Sequence, residues 1–195
     1  MKKDIILAGV GGQGILTIAG VIGAAALAEG LWLKQAEVHG MSQRGGDVQS
    51  NLRLSSDPIY SDLIPLGQAD LIISMEPMEA LRYLPWLADD GRIVTNTTPF
   101  VNIEPYPTEE SLRAEYASLG DRALLIDADG MARAAGNPRS ANIALLGAAA
   151  PWLDIDAAVL RKVLAARFAS KGDAVVEQNL AVFDAGMKAN LMRNA

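Results

Sequence analysis

The first segment constrains the fold most, because it runs strand, glycine turn and helix in direct succession. Residues 4–8 form an apolar run without alternation, the pattern of a strand buried on both faces of a sheet. The run passes into Gly9-Val10-Gly11-Gly12-Gln13-Gly14, and residues 15–29 then read as an apolar helix that Gly30 ends at its C′ position. Further strands are expected at 31–38, 48–54, 70–74, 91–96 and 123–128. Helices are expected at 76–84, 109–120, 142–152, 155–167 and 173–188. Strands alternating with helices predict an α/β fold: a three-layer, Rossmann-like, mostly parallel sheet with helices on both faces. A helical C-terminal segment from about 141 to 195 completes a single domain over residues 1–195. The strand-loop-strand from Leu31 to Leu54 is the one break in the alternation.

Composition narrows the function. The net charge of −6 argues against nucleic acid as a partner. The chain has no cysteine, so it holds neither iron–sulfur clusters nor zinc thiolates, and any cluster belongs to another chain. The apolar run after Lys2-Lys3 is too short for a signal peptide, and no stretch reaches the roughly 20 apolar residues of a membrane span. The expectation is a cytoplasmic protein with neither membrane nor metal attachment.

Four segments carry candidate chemistry. Gly9, Gly11, Gly12 and Gly14, with Gln13 among them, fit the spacing of a dinucleotide turn at a helix N-terminus. The alternative is a turn that packs helix on sheet or meets a partner. Glu37 lies near the place of the supporting acid. The loop from His39 to Gly46 gathers the only histidine with Ser42, Gln43, Arg44, Gly45 and Gly46. Histidine exchanges protons near neutrality and arginine clamps carboxylates or phosphates, so His39 and Arg44 are the catalytic candidates. No acid is placed to orient His39 toward Ser42, which argues against a hydrolase triad. Glu76 and Glu79 follow a strand and can either do acid–base work or complement a helix N-terminus. Asn142, after the Asn137-Pro138 turn, can cap a helix or reach a neighbouring loop.

Together these segments, with Ser61-Asp62-Leu63-Ile64-Pro65 and the ending Asn179-Leu180-Ala181-Val182-Phe183-Asp184-Ala185-Gly186, resemble the gamma-type domain of 2-oxoacid:ferredoxin oxidoreductases. Within that family they are most similar to the small subunit of the indolepyruvate-type enzymes. The resemblance spans nearly the whole chain, and His39-Gly40-Met41-Ser42-Gln43-Arg44-Gly45-Gly46 is its most diagnostic part. It implies a subunit, inactive alone, of an enzyme that turns a 2-oxoacid and coenzyme A into acyl-CoA and carbon dioxide, with electrons passing to ferredoxin. Indolepyruvate or another aryl pyruvate is the implied substrate. Thiamine diphosphate and 4Fe-4S clusters would sit on a larger partner, and ferredoxin would be reached through the holoenzyme. The Gly9–Gly14 turn, the 39–46 loop, Glu76 and Asn142 would face that partner or the coenzyme A path. An isolated chain would pair with itself through its partner face. The competing reading is a free-standing Rossmann-type nucleotide-binding protein.

Overall fold

The computed structural model describes residues 1–39 (His39 by its backbone alone), 45–101 and 103–193. Six strands are β1 (Lys2–Val10), β2 (Trp32–His39), β3 (Asp47–Ser55), β4 (Ala69–Ser74), β5 (Leu87–Asn96) and β6 (Ala123–Ile126). Seven α-helices are α1 (Ile15–Ala28), α2 (Pro77–Arg82), α3 (Glu109–Leu119), α4 (Ala128–Ala134), α5 (Ala141–Ala149), α6 (Ala157–Phe168) and α7 (Asp173–Arg193). The strands form one sheet in the order β2-β3-β1-β4-β5-β6. β1, β4, β5 and β6 are parallel neighbours, and β3 runs against both β1 and β2. Five strands therefore point one way and β3 alone opposes them.

The unalternating β1 is buried on both faces, as its composition requires. Ile5 and Leu7 join a core with α1 and α4–α7, and Ile6 and Ala8 join a second core with α2 and Tyr116 of α3. All four are fully buried. Each isoleucine or leucine so removed from water contributes roughly 1.5–3 kcal/mol. The sheet thus has helices on both faces, and the expected three-layer architecture is present.

Two features hold the layers in place. Asp4 on β1 stands opposite Arg53 on β3. Although fully buried, its carboxylate accepts from Arg53 Nε at 2.7 Å and from Arg53 Nη2 at 3.0 Å. Arg53 Nη1 also donates to the carbonyls of Ser61 and Leu63, so the pair pins the 61–63 segment onto the sheet. On the opposite face α5 and α7 cross with their backbones touching, at Gly147 and Gly186. A Cβ on Gly186 would stand 1.9 Å from the Ala144 carbonyl oxygen, and one on Gly147 would stand 2.0 Å from that of Phe183.

Two expected boundaries are corrected. The strand placed at 91–96 begins at Leu87. Leu87 pairs with Ala69 and Arg92 with Leu71, so residues 88–91 bulge opposite Asp70 and the exposed Asp89-Asp90 lies inside the strand. The strand placed at 123–128 stops at Ile126, because the Asp127 side chain accepts from Gly130 N at 2.7 Å and starts α4. Among the described residues no helix is long and apolar enough to cross a membrane.

Candidate functional site

The strand directions decide where the candidate residues meet. β1, β2, β4, β5 and β6 end at one rim of the sheet, and β3, reversed, begins there. The carboxyl rim therefore receives the Gly9–Gly14 turn, the connection from β2 to β3 and the start of α2. In open α/β sheets ligands bind at this rim, where neighbouring strands send their connections in different directions.

The glycine turn is tightly built. Val10 N donates to Gln13 Oε1 at 2.7 Å and Gln13 N returns to the Val10 carbonyl at 3.1 Å. Gln13 thus closes its own turn. Gly14 caps α1 at φ 82°, a left-handed conformation that a side chain would strain. Its carbonyl accepts from Thr17 N and from Asn142 Nδ2 at 3.0 Å. Asn142 therefore reaches a neighbouring loop and ties the start of α5 to the turn. Gly11 N donates to the Gly46 carbonyl at 2.8 Å, joining the turn to the entry of β3. The N–H groups of Gly12, Gly14, Ile15 and Leu16 have no protein partner among the described residues, and they edge a cleft of about 470 Å³ that Glu37 and Val48 also line.

This geometry departs from a dinucleotide site. There the strand bearing the ribose-binding acid neighbours the first strand. Here β3 stands between β1 and β2, so Glu37 is displaced by one strand and the Gly46 carbonyl meets the turn instead. Ser42, Gln43 and Arg44 lie outside the described residues, as does the His39 side chain. Gly45 and Gly46 stand at the rim before β3.

Glu76 is turned inward in the chain by itself. It is fully buried and caps α2, its Oε2 accepting from Glu79 N at 2.7 Å. Its Oε1 accepts from Phe100 N at 3.3 Å and from the Tyr106 hydroxyl. The sequence reading missed Tyr106; its only signal was the proline-punctuated stretch around it. Burial and the bond to Glu76 push the Tyr106 phenol well above its ordinary range.

Glu79 is buried beside Arg82, with Oε2 2.9 Å from the guanidinium but aligned so that this oxygen lacks a hydrogen bond. Burial raises its pKa above 4.5, Arg82 opposes the rise, and Glu76 and Asp47 add to it. Burial, with Asp47 and Glu79, also pushes Tyr83 up to about 12. Because the folded value of Glu79 is the higher one, its contribution to stability is present below 4.5 and lost as pH rises through the folded value. Glu79→Gln is therefore expected to gain melting temperature relative to the parent as pH rises. A difference constant across that range would refute the assignment. Among the described residues no group of three or more side chains is placed to hold a metal ion.

The family model for pyruvate ferredoxin/flavodoxin oxidoreductase matches residues 4–189. The indolepyruvate oxidoreductase subunit IorB of Pyrococcus horikoshii is 38% identical over 97% of this chain and 96% of its own length. The subunit of the same name from Thermococcus kodakarensis is 36% identical over the same shares. Among solved structures, the gamma subunit of a keto/oxoacid ferredoxin oxidoreductase from Geobacter sulfurreducens superposes with a TM-score of 0.67 at 22% identity, over 97% of this chain and 99% of that one. The 2-oxoglutarate:ferredoxin oxidoreductase of Magnetococcus marinus gives a TM-score of 0.76 at 22% identity, over 98% of this chain but 31% of that longer one.

Proposed function

This chain belongs to the pyruvate ferredoxin/flavodoxin oxidoreductase family, and on that premise we propose that it is the small subunit of a coenzyme A-dependent indolepyruvate oxidoreductase. The observation that carries the reading is its 38% identity to an indolepyruvate oxidoreductase subunit along nearly the full length of both chains. The reaction balances as 2-oxoacid anion plus coenzyme A giving acyl-CoA, carbon dioxide and one proton, with two electrons leaving to ferredoxin. A chain without cysteine holds no cluster. In this proposal the 4Fe-4S centres, and thiamine diphosphate with them, sit on a larger subunit, and this chain supplies the carboxyl rim. A cytoplasmic location is part of the same proposal.

At that rim the open N–H groups of Gly12, Gly14, Ile15 and Leu16 suit an anionic segment such as the diphosphate of coenzyme A. Glu37 also lines the cleft, and its carboxylate opposes an anion placed beside it. The end of β2 and the start of β3 stand at the same rim, and His39 and Arg44, whose side chains lie outside the described residues, are assigned to the path of coenzyme A by family resemblance.

The test is reconstitution with the larger subunit of the same enzyme. Dye reduction is followed with indolepyruvate and with pyruvate, each with and without coenzyme A. The proposal expects activity only when both subunits and coenzyme A are present, greater with indolepyruvate, and a colourless, silent small chain. A firmly bound dinucleotide in the isolated chain, with no association, would support the nucleotide-binding reading instead.

A further inference from the structure

Among the described residues, the turn before α1 is held from outside at its two ends. The Gly46 carbonyl, before β3, accepts from Gly11 N, and Asn142 of α5 donates to the Gly14 carbonyl at 3.0 Å. The bonds between Val10 and Gln13, and from Thr17 N to the Gly14 carbonyl, stay inside the segment itself. They give the turn its shape without fixing how its end faces the cleft.

Asn142 is well placed for that task. It is the second residue of α5, a helix buried along its whole length, and is itself 7% exposed. The backbone crossing at Gly147 and Gly186 locks α5 in turn. The amide lies so close to the turn that a Cβ on Gly14 would stand 2.7 Å from Asn142 Nδ2. Asn142 does not line the cleft; it stands behind the turn.

One peptide unit carries the consequence. The Gly14 carbonyl and the Ile15 N–H belong to the same planar trans unit and point in opposite directions. A donor that grips the carbonyl therefore sets the direction of the N–H, which leaves the start of α1 where Ile15 lines the cleft. Glycine resists rotation of this unit least of all residues. Rotation would carry the carbonyl oxygen toward the place where an anion needs a donor.

We propose that Asn142 is a positioning residue for coenzyme A: by holding the Gly14 carbonyl it keeps the Ile15 N–H aimed at the diphosphate. This rests on the coenzyme A reading of the cleft given above. Because Asn142 acts through the turn and the turn meets the diphosphate alone, its loss weakens coenzyme A and spares the oxoacid.

The experiment pairs steady-state kinetics of the reconstituted two-subunit enzyme with a titration of this chain by inorganic diphosphate, read from its amide NMR shifts. Asn142→Ala is expected to raise the KM for coenzyme A about tenfold. The KM for indolepyruvate, and kcat at saturating coenzyme A, should stay within about twofold of the parent. In the titration the Gly12, Gly14, Ile15 and Leu16 amides of the parent should move, and the variant should need about ten times more diphosphate. Asn142→Asp keeps the side-chain volume but turns an acceptor toward the Gly14 carbonyl, so it should bind at least as poorly. Asn179→Ala is the control. It removes another buried asparagine amide, one that donates to the Val175 carbonyl within α7, and it should leave coenzyme A and diphosphate binding unchanged. Parent-like binding in both Asn142 variants overturns the positioning role and leaves the coenzyme A reading standing. So does an equal loss in the control, or a fall in kcat with the KM for coenzyme A unmoved. Parent amides that ignore diphosphate, with a KM for coenzyme A that no variant changes, sink the coenzyme A reading of the cleft and the positioning role with it.

Discussion

Gly186→Ala is expected to cost about 3 kcal/mol or more of folding stability, a large share of the 5–15 kcal/mol that holds an ordinary domain together. The added methyl would meet the Ala144 carbonyl oxygen at 1.9 Å, its carbon at 2.8 Å and Ala148 N at 2.9 Å. All three are backbone atoms, so no rotamer change relieves the collision and α5 must separate from α7. Separation opens a gap beside Val182, Phe183 and Leu145, all fully buried, and each loses close contacts. Thermal and urea unfolding should show a fall of roughly 6–12 °C in melting temperature for a chain of this size. Ala144→Gly should not rescue the variant, because the offending oxygen belongs to the main chain. A fall below about 2 °C would mean the helices can slide apart cheaply.

Arg53→Met is the second large effect, about 3 kcal/mol. It strips the guanidinium from a fully buried carboxylate and removes the donors to the Ser61 and Leu63 carbonyls. Lys2 remains 2.9 Å from Asp4, but it is more than half exposed and cannot replace two aligned bonds. Removing both charges should cost far less than the sum of the single losses. Replacing a buried ion pair with apolar groups of similar volume is close to neutral, whereas orphaning one member is not. A double-mutant cycle with Asp4→Leu measures this. Additive losses would show that the two residues do not act as a pair.

Much of the fold was legible because periodicity reports burial. The run at 4–8 announced a central strand, and the break between Leu31 and Leu54 announced β3. What periodicity cannot report is contact between segments distant in the chain. Gly147 and Gly186 read as ordinary small residues on two helices, and only their apposition shows that nothing larger fits. The whole of α4 was missed although Asp127 and Gly136 are ordinary start and stop signals. The apolar run 123–126 leads into more alanine and masks the boundary. The site was less legible. The glycines and Asn142 were singled out, but the tie from Asn142 to Gly14 depends on tertiary placement. Glu76 was singled out as a rim residue, and its inward turn follows from a tyrosine thirty residues away.

The lone reversed strand has a consequence for how such a chain diversifies. β2 and β3 stay in unbroken register from Trp32 opposite Ser55 to His39 opposite Val48. That ladder fixes where the connection from β2 to β3 starts and finishes, so a change in the connection need not shift the rungs behind it. Had β3 run with its neighbours, the same segment would have been a crossover spanning the sheet, and any change in its length would have disturbed the packing. A single turn of direction thus separates what this fold must keep from what it is free to vary.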